Sequence, residues 1–121
     1  MGRRVIDVCN GLERVNVVSV LVRPDDQVEG IGTVRVETDP KSAFEGTDVI
    51  IDFSAPPSTD TTLKAAVDLG VAYVLASTGL SDKDEETLSE AAKSIPLIVA
   101  SNCSLGVNVL TALVETAARA L

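Results

Sequence analysis

The chain contains no histidine and no tryptophan, and its aromatic residues are Phe44, Phe53 and Tyr73. Without histidine, a Ser-His-Asp triad, a Cys-His dyad and the usual zinc ligand sets are excluded. So few aromatics leave no platform for stacking nucleic-acid bases. Basic residues are outnumbered, 10 against 18 acidic, for a net charge of -8. With no basic run to meet phosphates, nucleic acid is not an expected partner. The two cysteines, Cys9 and Cys103, lie far apart and form no CxxC. That spacing argues against a disulfide framework and for a reducing, cytoplasmic setting. No signal peptide opens the sequence, and no apolar stretch approaches the ~20 residues needed to cross a bilayer, so a membrane partner is not expected. What remains is carboxylate, hydroxyl, amide, lysine or backbone chemistry, or simple binding.

What the sequence has in quantity is aliphatic. Its 121 residues, 45% of them hydrophobic, make one domain. Helix-like and strand-like periodicities alternate from end to end, the pattern of an α/β domain with a mainly parallel sheet. Val5, Cys9 and Leu12 share one face of a helix expected over 2–14. Residues 17–22 are a β-branched run suited to a strand buried on both faces. Val34 and Val36 alternate with polar neighbours in a more peripheral strand. Asp39 before Pro40 reads as an N-cap with proline at the first helical position. Residues 49–53 form the strongest candidate for a central strand, ended by Ser54-Ala55-Pro56-Pro57. A helix follows with Leu63, Ala66 and Val67 inward and Gly70 at C′. After the strand 71–76, Ser81 and Asp84 form a capping box with Asp in place of Glu, and Leu88, Ala91, Ala92 and Ile95 face inward. A short buried strand, 97–100, precedes a last helix with Leu110, Leu113, Val114, Ala117 and Leu121 on one face. Both ends read as cut, so the expected architecture is a doubly wound sheet missing its opening strand.

Ligands of such sheets bind outside the carboxyl ends of the strands. Four exits occupy those ends: Arg23-Pro24-Asp25, Ser54-Ala55-Pro56, Ser77-Thr78-Gly79 and Ser101-Asn102-Cys103-Ser104. Their small hydroxyl residues suit a groove for an extended polar ligand such as a dinucleotide, although each also suits simple helix capping. Arg23 stands where an arginine can pair with a 2′-phosphate, which favours NADPH over NADH; a solvated surface arginine beside Asp25 and Asp26 is the alternative. Gly30-Ile31-Gly32 leads into a strand and reads as a turn, not a phosphate-binding fingerprint. Asp52, in an apolar strand, is expected to be satisfied by backbone or hydroxyl donors instead of acting as a base. Cys103 lacks an activating base and reads as an unreactive thiol.

Three blocks carry a family resemblance: Asp48-Val49-Ile50-Ile51-Asp52-Phe53-Ser54-Ala55-Pro56, Ser77-Thr78-Gly79-Leu80, and Ser101-Asn102-Cys103-Ser104-Leu105-Gly106-Val107-Asn108. In this order and spacing the chain resembles the nucleotide-binding domain of dihydrodipicolinate reductase. That family is NAD(P)H-dependent and serves the diaminopimelate route to lysine. The resemblance implies a Rossmann-like domain, beginning just after the first strand and most of the glycine-rich loop, with Met1-Gly2-Arg3-Arg4-Val5 matching the loop's end. It implies that Arg23 meets the adenosine ribose or its 2′-phosphate. Ala76, Ser77 and Thr78, with Gly79 after them, match a Gly-Thr-Thr stretch beside the nicotinamide, where Ala76 replaces a glycine. Ala100, Ser101, Asn102 and Cys103 line the same end, and Phe53 belongs to the cofactor-lining set. No metal and no catalytic residue is assigned. The family's substrate domain, with its paired histidines and lysine, has no counterpart here, so this chain is expected to bind a dinucleotide without reducing a substrate by itself. A truncated sheet also predicts self-association or homo-oligomers. A non-catalytic nucleotide-binding or interaction module, and the cofactor domain of a related amino-acid dehydrogenase, are the alternatives.

Overall fold

The structure is a computed structural model. It describes residues 1–121 apart from Gln27, Glu29 and Gly30, and apart from the side chains of Pro56 and Pro57. The elements run α1 (Gly2–Asn10), β1 (Ser19–Leu21), β2 (Arg35–Glu37), α2 (Pro40–Phe44), β3 (Val49–Asp52), α3 (Pro56–Leu69), β4 (Ala72–Leu75), α4 (Asp82–Ala91), β5 (Leu97–Val99) and α5 (Leu105–Ala120). All strand pairs are parallel. Among the described residues they form two separate sheets, β1-β2 and β3-β4-β5. The architecture is a Rossmann-like α/β domain, as expected.

Local signals set several boundaries as the sequence anticipates. Asp39 caps α2 by accepting the Ser42 N–H at 2.9 Å. That bond holds the Asp39 carboxyl below its usual range. Ser81 and Asp84 complete the reciprocal box at the start of α4: the Ser81 hydroxyl accepts the Asp84 N–H, and the Asp84 carboxylate accepts the Ser81 N–H at 2.7 Å. Gly70 ends α3 in the left-handed conformation at φ +69, where any side chain would be strained.

The core lies on one side of the three-stranded sheet. Ile50 from β3 and Tyr73 and Leu75 from β4 meet Leu63 and Ala66 of α3 and Leu88 of α4. Helix α2 adds Ala43 and Phe44 to that cluster and also packs on β1 and β2, so it bridges the two sheets. The Ser19 hydroxyl of β1 donates to the Ala43 carbonyl of α2.

The other side of the sheet is open, and this corrects several expectations. The run 49–53 is not a central strand: β3 sits at the edge of its sheet and buries only alternate residues, leaving Val49 and Ile51 52% and 48% exposed. Neither the strand over 17–22 nor that over 97–100 is fully buried. β1 is half-buried, and Ile98 and Val99 are exposed. The apolar stripe of α5 is regular, yet none of its residues is buried, and Leu110, Leu113 and Val114 are all exposed. The expected helix over 2–14 stops at Asn10, with Gly11 as its C-cap, and Ile6 is its buried residue, in place of the Val5, Cys9 and Leu12 stripe. Beyond Gly11, a weak helix former, Leu12 is exposed and gains nothing from prolonging the helix. Ala92, expected to face inward, likewise faces solvent. Of the Gly30-Ile31-Gly32 turn, Gly30 lies outside the described residues, and Gly32 stands in a turn before β2.

One-sided burial has a measurable consequence. Truncating Leu75, 0% exposed, to alanine should destabilise the chain by about 2–5 kcal/mol in urea unfolding. Truncating Leu110 on α5, 59% exposed, should change stability by less than about 0.5 kcal/mol. Equal effects would contradict the one-sided core.

Candidate functional site

The parallel ladder decides where chemistry can gather. Asp52, Leu75 and Val99 are neighbours across β3, β4 and β5. Pairing continues one step past the strands, with the Ala76 N–H donating to the Asp52 carbonyl and the Ala100 N–H to the Leu75 carbonyl, both at 2.8 Å. The three exits Phe53-Ser54-Ala55, Ala76-Ser77-Thr78-Gly79 and Ala100-Ser101-Asn102-Cys103 are therefore brought side by side at one sheet edge. Helices α3 and α5 start just beyond; α3 opens on Pro56-Pro57, which have no N–H to offer, and its Ser58 N–H is taken by the Ala55 carbonyl.

Each exit is shaped locally. Phe53 and Ala76 are half-buried, Thr78 is exposed, and Gly79 turns the chain at φ +79. The Ser77 hydroxyl is buried and has no hydrogen-bond partner among the described residues. In the third exit the Asn102 side-chain oxygen accepts the Ser104 N–H at 2.9 Å, and the Ser104 hydroxyl caps α5 by accepting the Val107 N–H. The Cys103 thiol is exposed and lies 3.9 Å from the Ala100 carbonyl.

Arg23 is not brought into this row, because it follows β1 in the other sheet. Its guanidinium makes a two-point pair with Asp26, Nε to Oδ2 at 3.1 Å and Nη2 to Oδ1 at 3.0 Å. Hydrogen bonding within the pair raises the Arg23 pKa and lowers that of Asp26. An anion arriving at Arg23 meets a guanidinium with further donors to offer. It also meets the competing carboxylate of Asp26.

The residues present fit a nicotinamide dinucleotide at one end in particular. Backbone edges, the Asn102 amide and an unpartnered Ser77 hydroxyl stand on adjacent exits, as an extended polar ligand requires. Beneath them lies a polar cluster that the sequence showed only in part. Asp52 is satisfied by hydroxyl and backbone donors, as expected, and two of its partners are Tyr73 and Thr62. Neither Tyr73 nor Thr62 stands out in the sequence as a partner for Asp52. Strand alternation was the available signal, since the register Asp52↔Leu75 puts Tyr73 on the same covered face as Asp52.

Comparison with known proteins agrees with this arrangement. The family profile described as "Dihydrodipicolinate reductase, N-terminus" matches residues 1–103. The chain belongs to that family. A 4-hydroxy-tetrahydrodipicolinate reductase from Acinetobacter baumannii is 41% identical over 112 residues, covering 90% of this chain and 41% of that protein. Reductases of the same name from Chelativorans sp. and Caldanaerobacter subterraneus are 34% and 36% identical over the whole chain, which covers 47% and 51% of their lengths. The chain thus spans about half the length of the curated reductases it matches. Those two alignments run to 131 and 130 positions against 121 residues, so the relatives carry insertions that this dihydrodipicolinate reductase N-terminal domain lacks. Among its described residues, no helix is long and apolar enough to cross a membrane.

The buried phenol gives this domain a pH signature. Burial, and next the hydrogen bond to Asp52, push the Tyr73 pKa far above its ordinary value. The unfolded chain releases that proton near pH ~10 while the folded chain keeps it. The stability it contributes is therefore complete below that pH and declines as pH rises further. Tyr73 is the single tyrosine, so tyrosinate absorbance reads it directly. Absorbance should rise only with unfolding, and Tyr73→Phe should flatten the loss of stability between about pH 9 and 11. Tyrosinate forming near pH ~10 in the folded chain would contradict this account.

Proposed function

We propose that this chain is the nicotinamide-dinucleotide-binding part of a 4-hydroxy-tetrahydrodipicolinate reductase, acting in the cytoplasm in the diaminopimelate route to lysine. The observation that carries the reading is the alignment of three strand exits at one edge, on residues that match the family in order and spacing. Phe53, the Ala76 to Gly79 exit and the Ala100 to Cys103 exit would hold the nicotinamide end through backbone groups, hydroxyls and the Asn102 amide. Arg23 would meet the adenosine ribose and favour NADPH over NADH. When bound, the cofactor supplies the reducing equivalents.

Reduction also needs a group that holds and protonates the substrate. The chain has no histidine for that task. By the family resemblance that task belongs to a substrate domain with paired histidines and a lysine, so competence would rest on a second domain or partner, and the chain alone is expected to bind cofactor without turnover.

Calorimetric titration of the purified chain with NADPH and then NADH tests this directly. Saturable binding of NADPH is expected, with Arg23→Ala weakening it about three- to tenfold and leaving NADH nearly unchanged. Failure to bind either dinucleotide would overturn the reading, and equal losses for both would overturn the role of Arg23.

The exposed apolar surface supports self-association as a second property. Val49 and Ile51 of β3, Ile98 of β5 and Leu110, Leu113 and Val114 of α5 are all at least about 48% exposed, far more than scattered surface residues need explaining. Light scattering coupled to size exclusion should show a mass that rises with concentration. A monomer at all concentrations would contradict it.

A further inference from the structure

The end of β3 carries a buried acceptor that the dinucleotide reading leaves without a task. Asp52 is 7% exposed and Tyr73 is 1% exposed. One carboxylate oxygen, Oδ1, accepts the Ser54 backbone N–H at 2.6 Å. The other, Oδ2, accepts the Tyr73 hydroxyl and lies 3.1 Å from the Thr62 hydroxyl. Thr62 Oγ1 and Tyr73 Oη are 2.8 Å apart, and Thr62 Oγ1 also stands 3.1 Å from the Ser58 and Thr59 carbonyls. A buried carboxylate without donors would be strongly disfavoured, whereas this one has a donor from each neighbouring element.

The division of labour between the two oxygens is the informative feature. Tyr73 comes from β4 and Thr62 from α3. Together they fix Oδ2, and with it the side-chain torsions of Asp52. Oδ1 is then held at a set point and grips the first backbone N–H after Phe53. The grip bends the chain immediately out of the strand, which settles the path of residues 53–55 before α3 begins.

We propose that Asp52 is a positioning residue: held by Tyr73 and Thr62, it sets the conformation of the Phe53-Ser54-Ala55 exit so that this segment meets the dinucleotide. Its functional consequence rests on the dinucleotide reading. Its structural half is independent of any ligand. No proton is transferred, because the phenol keeps its own and Asp52 serves as acceptor throughout.

Backbone NMR of the full chain, with NADPH titrations, tests both halves. The Ser54 amide proton should resonate well downfield, as a short bond to a carboxylate requires. Asp52→Ala should move it upfield, shift the Phe53 and Ala55 signals, and weaken NADPH about tenfold. Asp52→Asn keeps an acceptor for Ser54 and should recover most of that affinity. Tyr73→Phe retains the packed ring and should give a smaller displacement in the same direction, which keeps the test open should Asp52→Ala fail to fold. An affinity that merely follows Tm across the variants, or a Ser54 signal unmoved in Asp52→Ala and Tyr73→Phe, would overturn the proposal. Loss of the Ser54 signature with NADPH affinity unchanged would overturn its functional half. A native chain that binds no dinucleotide would instead overturn the dinucleotide reading, leaving the Ser54 signal to decide the positioning of the exit.

Discussion

A parallel strand has no tight turn to fold against, so its order depends on neighbouring strands and on the layers that cover its faces. Among the described residues β4 is the one strand hydrogen-bonded on both sides, to β3 and β5. Its inward residues Tyr73 and Leu75 are among the most buried in the chain. The remaining order follows from it. Helices α3 and α4 close over that face, α2 leans on α3 and reaches β1 and β2, and the exits of β3, β4 and β5 align because their strands are in register.

The same requirement explains where the domain is weakly held. The face away from α3 and α4 exposes Val49, Ile51 and Ile98, and α5 buries none of its residues. Among the described residues β1 and β3 do not pair, so α2 and its contacts carry the connection between the sheets. Burial on one side supplies less hydrophobic stabilisation than a double-layered sheet would give, at roughly 25 cal/mol per Å² of apolar surface. Membership of the dihydrodipicolinate reductase family places a Rossmann-like scaffold beneath these surfaces. It does not close them.

Function and fold meet at Asp52. Its backbone carbonyl accepts the Ala76 N–H in the ladder, while its side chain holds the Ser54 N–H and is held by Tyr73 and Thr62. A polar cluster in a core is tolerated when its members are satisfied, and it then restrains geometry more tightly than apolar packing does. Here the restraint falls on the segment where strand becomes loop, the segment from which ligands of such sheets are met.

The amino-acid sequence by itself determined whatever depends on neighbours close along the chain. Asp39 before Pro40, Ser81 with Asp84, and Gly70 after an apolar helix each marked a boundary, because caps and left-handed glycines act over three or four residues. The alternation of helix and strand signals likewise gave the α/β class, and the three exit blocks gave the family. Tertiary structure alone decided which apolar faces find a partner. Val49, Ile51 and the stripe of α5 read as core from their side chains, yet burial is a property of what lies opposite, and among the described residues none buries them. It also decided that Tyr73 and Thr62, 21 and 10 residues from Asp52, converge on one carboxylate. Strand register and helix packing bring those groups together, and neither is written in local spacing.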